Sequence, residues 1–188
     1  NGGRAWTVAG DLATERGCVS AMKLARRSAG RLDILVNNAS VFDCGDIAGT
    51  DGAGAIAGLR VNLLAPLLLM REFAGQTSSG GIVNLLDTRI AGNQPGCAAY
   101  LVSKKALADL TRIAALELAP GITVNGVAPG PVLPPVAGNL PLHLRKAGKL
   151  PLGRRPTPAD VAGAVVFLLG AETVTGQIIF VDGGQHLL

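Results

Sequence analysis

Strand-like and helix-like segments alternate along the whole of this chain, and that alternation restricts it to few architectures. Arg4–Ala9 (RAWTVA) reads as a strand, and Ala13–Ser28 as a helix whose apolar positions Val19, Met22 and Leu24 fall near helical spacing. Leu32–Asn37 (LDILVN) is a short continuous apolar run, the pattern of a parallel strand buried on both faces. A Gly-rich stretch, Gly45–Gly58, leads into a helix over Ala55–Phe73, and Gly81–Leu86 (GIVNLL) is the next strand. The helix Ala98–Leu118 is stopped by Pro120-Gly121, and Ile122–Val127 (ITVNGV) follows as a strand. Pro129–Leu152 is Pro-rich and irregular, with a short helix expected near His143–Lys149. Pro158–Leu169 is a helix opened by Pro158, and Gln177–Val181 is the last strand. Strands alternating with helices predict an α/β fold with a parallel sheet and right-handed crossovers. With no internal repeat and no linker, residues 1–188 read as a single domain.

Composition narrows the function classes. Net charge is +4 with no basic run longer than two residues, too dispersed to argue for nucleic acid. Cys18, Cys44 and Cys97 are odd in number and include no CxxC pair, so neither a disulfide framework nor a metal site is indicated, and a reduced setting is expected. The apolar run Val61–Met70 contains Asn62 and Pro66 and is flanked by Arg60 and Arg71. It is too short to span a bilayer, and no signal peptide opens the chain. A soluble, cytoplasmic protein without membrane partners is the expectation.

The chemistry is concentrated in Ala98–Ala106 (AAYLVSKKA). Tyr100 and Lys104 are four residues apart, one helical turn, and share a helix face. An ammonium beside a phenol favours the phenolate, which is expected to lower the Tyr100 pKa into a useful range for proton transfer. A bare YxxxK is common by chance. Leu35–Ser40 (LVNNAS), Arg60–Pro66 (RVNLLAP) and Val127–Gly130 (VAPG) give it specificity.

With these segments the chain resembles the short-chain dehydrogenase/reductase family from Gly10-Asp11-Leu12 to Val181-Asp182-Gly183-Gly184. The resemblance implies a Rossmann-type doubly wound parallel sheet and hydride transfer between a nicotinamide cofactor and a small-molecule substrate. It further implies that Tyr100 is the general acid in reduction, and that Lys104 holds the ribose hydroxyls and stabilises the phenolate. Asn62 would bend its helix and anchor a water in a proton relay to Lys104. Asp11 and Leu12 would lie beside the adenine, Asn38 and Ala39 on the adenosine side, and Pro129-Gly130 around the nicotinamide. Pro134 replaces a Thr that the family often uses to bind the carboxamide. The family's pairing through its two long helices, here Ala55–Phe73 and Ala98–Leu118, implies a homodimer or homotetramer. His143 and His186 are lone histidines to which no chemistry is assigned.

Asp87 departs from the family pattern. The family usually has a Ser thirteen residues before the Tyr, and here that position reads Asp within VNLLDTR. A carboxylate would repel the oxyanion developing on a ketone, but it suits a substrate with N–H donors or a ring nitrogen that must be protonated. Pterins meet both demands, and the Asp87–Tyr100–Lys104 set resembles the pteridine reductase and dihydromonapterin reductase-like branch. That branch implies NADPH, with NADH not excluded. A generic ketone or alcohol dehydrogenase is the alternative within the same functional class, and a catalytically silent dinucleotide-sensing or oligomeric relative is the alternative from a different one. Arg89 could face substrate or solvent.

Family members open with a strand and a Gly-rich pyrophosphate turn. Neither is found here, so the resemblance implies an N-terminally truncated sheet lacking its first two strands. The stretch as given is expected to bind dinucleotide poorly and to be inactive alone.

Overall fold

The computed structural model describes residues 3–43, 45–133 and 150–188. Four parallel strands, β1 (Ile34–Asn37), β2 (Gly80–Leu85), β3 (Ile122–Pro129) and β4 (Ile178–Val181), form one sheet in chain order. Each crossover carries helix, as the alternating pattern requires. Helix α1 (Glu15–Ala29) starts where the Thr14 hydroxyl accepts from the Gly17 N–H. Helix α5 (Pro158–Gly170) starts with a capping box in which the Thr157 and Asp160 side chains each accept from the other's backbone N–H. The expected helix at His143–Lys149 and the position of Pro134 lie outside the described residues.

Alternation along the central strands sends apolar side chains to both faces. Ile82, Ile122 and Val124 pack with Met22, Met70 and Phe73 on one side. Val83, Leu85 and Val127 pack with Leu168 of α5 on the other. Both faces are therefore covered, which is what a parallel sheet needs.

The first predicted strand is not one. Arg4–Ala9 has no regular structure, because a strand exists only by hydrogen bonding to a neighbour and no strand among the described residues flanks it. Among the described residues β1 pairs only with β2, and it exposes Ile34 and Val36.

The helix predicted over Ala55–Phe73 is interrupted in its hydrogen bonding. Helix α2 (Gly52–Leu59) passes through a π-turn (Arg60–Leu64) into α3 (Ala65–Ala74). Gly52–Ala74 is thus a continuous 23-residue helix, with a mean hydropathy of 1.7 over its most apolar 18 residues, long and apolar enough by those criteria to cross a bilayer. The run read from the sequence was shorter because the Gly/Ala-rich start of the helix was not counted. Ala65, Met70 and Phe73 are buried, while Ile56, Leu64 and Leu67 are exposed. Packing against α1 places this helix as one layer of the α/β domain.

The cysteine expectation also changes. Cys18 is a free buried thiol, whereas Cys97, which precedes α4 (Ala98–Glu117), is disulfide-bonded. An odd count does not exclude a single bridge.

Candidate active site

The C-terminal ends of the strands open onto a cavity of about 1000 Å³, the place where open α/β sheets hold ligands. Asn38, Asp87, Tyr100, Lys104, Pro129 and Gly130, all singled out from the sequence, line it. Asp11, Leu12 and Ala39 do not. Asp11 closes the turn before α1 by accepting from the Ala13 N–H at 3.0 Å, while the cap itself is Thr14. At Gly130 a Cβ would fall 2.7 Å from the Cβ of Asp182, so only glycine lets β3 end against that residue.

Helix α4 presents Tyr100 and Lys104 to the end of β2. The Tyr100 hydroxyl donates to Asp87 Oδ2 at 2.9 Å, and Lys104 Nζ donates to the Leu85 carbonyl at 2.8 Å. Burial pushes the Tyr100 pKa up, and the charge and hydrogen bond of Asp87 push it further, with Arg89 opposing weakly. This reverses the expectation that Lys104 would lower it. The carboxylate sits directly on the phenol, whereas the ammonium is 6.0 Å from the ring centroid and turned to a carbonyl. Tyr100 is therefore held protonated. Burial lowers Lys104 to about 8, with Asp87 partly restoring it.

Asn62 lies in the π-turn and is buried. Its Oδ1 accepts from Ser40 Oγ (3.0 Å) and the Val41 N–H (2.8 Å), and its Nδ2 donates to the Val41 carbonyl (2.8 Å) and Ser103 Oγ (3.2 Å). All four capacities of the amide are filled by protein. The side chain ties the loop after β1 to α4, and a relay water cannot use it. The backbone carbonyl is different, since its α-register partner would be residue 66, a proline with no N–H. Replacing Asn62 with Ala strands several buried groups and is expected to lower stability by about 2–4 kcal/mol. A lower denaturant midpoint at unchanged slope would register it.

The contacts that complete the site were not read from the sequence. Phe42, in the loop after β1, lines the cavity with its ring edge-to-face with Tyr100 at 4.7 Å. The Arg89 guanidinium lies 5.0 Å over Phe42, which settles that Arg89 faces the cavity. A loop phenylalanine in a chain with 3% aromatics was the available signal. His186 is not a bystander: its Nδ1 and backbone N–H both donate to Asp182 Oδ2, at 2.9 and 2.8 Å, and its ring stacks on Phe180. Thr88 Oγ1 donates to the same oxygen. Burial raises the Asp182 pKa, but the bonds from Thr88, His186 and Gly184 outweigh it and hold the carboxyl below its usual range. Gln185, beside His186, lines the cavity too. Among the described residues no cluster of three His, Cys, Asp or Glu could hold a metal.

A family model described as enoyl-(acyl carrier protein) reductase matches residues 1–186. Pteridine reductase 1 of Leishmania tarentolae is 37% identical over 190 residues, spanning 84% of this chain and 64% of that protein. An inactive 2-(S)-hydroxypropyl-CoM dehydrogenase 2 of Xanthobacter autotrophicus is 34% identical over 198 residues, 98% of this chain and 86% of the relative. Among solved structures, FolM alternative dihydrofolate reductase 1 from Brucella canis, complexed with NADP, matches with a TM-score of 0.91 and 35% identity. It covers 100% of this chain and 75% of its own.

Proposed function

The chain belongs to the short-chain dehydrogenase/reductase family, and on that footing we propose that it is an NADPH-dependent oxidoreductase reducing a pterin-like heterocycle. The observation that carries this reading is the Tyr100 hydroxyl donating to the Asp87 carboxylate at the cavity wall. A carboxylate there suits a ring with N–H groups and disfavours a ketone, whose developing oxyanion it would repel.

The donor set fits a dinucleotide ribose. Lys104 spends one N–H on Leu85 and keeps two at the wall of the cavity, which Asn38 and Tyr100 also line. When bound, NADPH supplies the hydride. Tyr100 holds the proton that a ring nitrogen needs. Giving it up would leave a buried phenolate beside the Asp87 carboxylate, so a proton from water in the cavity must reach Tyr100 in the same step, passed along Asp87. The backbone carbonyl of Asn62 is the group that would hold a relay water toward Lys104. Phe42 offers a planar heterocycle an aromatic face, with Arg89 beyond it.

The test is NADPH oxidation by the full gene product with dihydropterins and simple ketones side by side. Turnover confined to dihydropterins supports the reading, and turnover confined to ketones would remove it.

The outward faces of the two long helices support a homo-oligomer. Val102, Ile113 and Leu116 on α4 are exposed, as are Ile56, Leu64 and Leu67 on the neighbouring helix. These side chains form an apolar surface of the kind that pairs in oligomers. Light scattering on the purified protein is expected to give a dimer or tetramer mass, and a monomer at micromolar concentration would contradict this.

A further inference from the structure

Arg89 brings to the cavity a positive charge that proton and hydride transfer do not use. Among the described residues lining the cavity only Lys104 and Arg89 are cationic, and Lys104 is buried against the Leu85 carbonyl.

The short turn Thr88–Ala91 fixes where the second cation stands. Asp87 caps this turn, its Oδ1 accepting from the Arg89 N–H at 2.8 Å, while its Oδ2 accepts from the Tyr100 hydroxyl. Both carboxylate oxygens therefore have a donor already. The Arg89 guanidinium stays outside hydrogen-bond range of them, with Nε 4.0 Å from Oδ1. The Phe42 ring holds it from another direction through a cation–π contact of 5.0 Å. Among the described residues its one hydrogen-bond acceptor is Cys97 Sγ, a weak one at 3.9 Å from Nη1. A guanidinium carries five N–H donors, so most of them remain for a ligand. They are also accessible: the Arg89 side chain is 32% exposed, against 18% for Asp87, and Phe42 beside it is exposed.

We propose that Arg89 is a specificity-determining residue that binds a carboxylate or phosphate on the substituent of a dihydropterin whose ring meets Asp87. This deepens the pterin-reductase reading and rests on it. A substrate with its ring at the less exposed Asp87 extends its substituent toward solvent past the adjoining guanidinium. A planar fork of donors suits the paired oxygens of either anion. Its charge also offsets the repulsion that Asp87 would exert on an acidic group.

The experiment is steady-state kinetics of the full gene product at saturating NADPH with three probes. These are dihydrobiopterin, whose side chain is uncharged, dihydrofolate, which carries carboxylates, and a phosphate ester of a dihydropterin. The wild type is expected to prefer an acidic probe over dihydrobiopterin in kcat/KM, and the probe preferred identifies the anion. Arg89→Met keeps a long side chain without its charge, and should cut that preference about tenfold, mainly through KM. A ratio of two substrates on one preparation reads only the folded enzyme. Raising the ionic strength should weaken the wild-type preference as well, because salt screens a partly exposed pair. If the wild type turns over dihydropterins without preferring either acidic probe, or Arg89→Met keeps the preference, the role of Arg89 is overturned while the substrate reading stands. If the wild type turns over no dihydropterin, the substrate reading falls, and this proposal with it.

Discussion

Replacing Asp87 with Ser is expected to cut dihydropterin turnover by about 100-fold or more, the usual scale for losing a group that delivers a proton. The carboxylate accepts the Tyr100 hydroxyl at 2.9 Å, and Arg89 sits close by, its backbone N–H donating to Asp87 Oδ1 at 2.8 Å. Burial keeps raising the Tyr100 pKa in the variant, but serine removes the added effect of the Asp87 charge and hydrogen bond, so the phenol becomes more acidic than in the wild type. Serine also removes the only carboxylate placed to pass a proton on to Tyr100 among the cavity-lining residues described. A hydroxyl at that position can instead polarise a ketone oxygen. The same variant should therefore gain ketone reductase activity, measured as NADPH oxidation with a simple ketone. A protein that is catalytically silent would respond to neither substrate. Loss on one substrate with gain on the other is the signature of a residue that selects substrate class.

Lys104→Met is expected to lower activity by roughly 100- to 1000-fold while making the fold more stable. Lys104 is 2% exposed, and burial brings its pKa from 10.5 to about 8. A depressed lysine pKa means that the folded state binds its proton less tightly than the unfolded state. The penalty is fully present below pH 8, shrinks as pH rises from 8 to 10.5, and is absent above that range. The shift corresponds to about 3 kcal/mol, from which the lost bond to the Leu85 carbonyl subtracts, leaving a net gain of about 1–2 kcal/mol at neutral pH. Thermal unfolding at pH 7 should show a midpoint higher by about 3–6 °C, and the difference should change sign toward pH 11, where only the lost bond remains. The same titration affects function with opposite sense. Above about pH 8 the ammonium becomes neutral, so NADPH affinity of the wild-type protein should weaken there. A variant that lost stability instead would mean that Lys104 is a structural cation and not a functional one.

The sequence carried the layers of this fold because hydrophobic periodicity survives tertiary context. The strands at Gly80–Leu85 and Ile122–Pro129 were legible as short apolar runs, since both faces are buried. Arg4–Ala9 was not, because pairing is a property of the neighbour and not of the segment. The π-turn at Arg60–Leu64 was hidden for a related reason. A polar Asn62 inside an apolar helix announces a distortion without specifying its register.

Residues with a chemical signature in the site were equally legible. Tyr100, Lys104 and Asp87 announced themselves by type and spacing, and the structure brings them together. The direction of the Tyr100 shift could not be read, because it depends on which charged group reaches the hydroxyl first. Asp182, Thr88 and His186 come from segments 94 and 4 residues apart, so no local pattern could join them.

The central claim is that a carboxylate in place of a hydroxyl turns this site toward an N–H-bearing heterocycle. Initial rates of NADPH oxidation by the full gene product, with a dihydropterin and a simple ketone at matched concentrations, test it most directly. The account predicts turnover of the dihydropterin with no measurable rate on the ketone. Turnover of the ketone with none of the dihydropterin would contradict it.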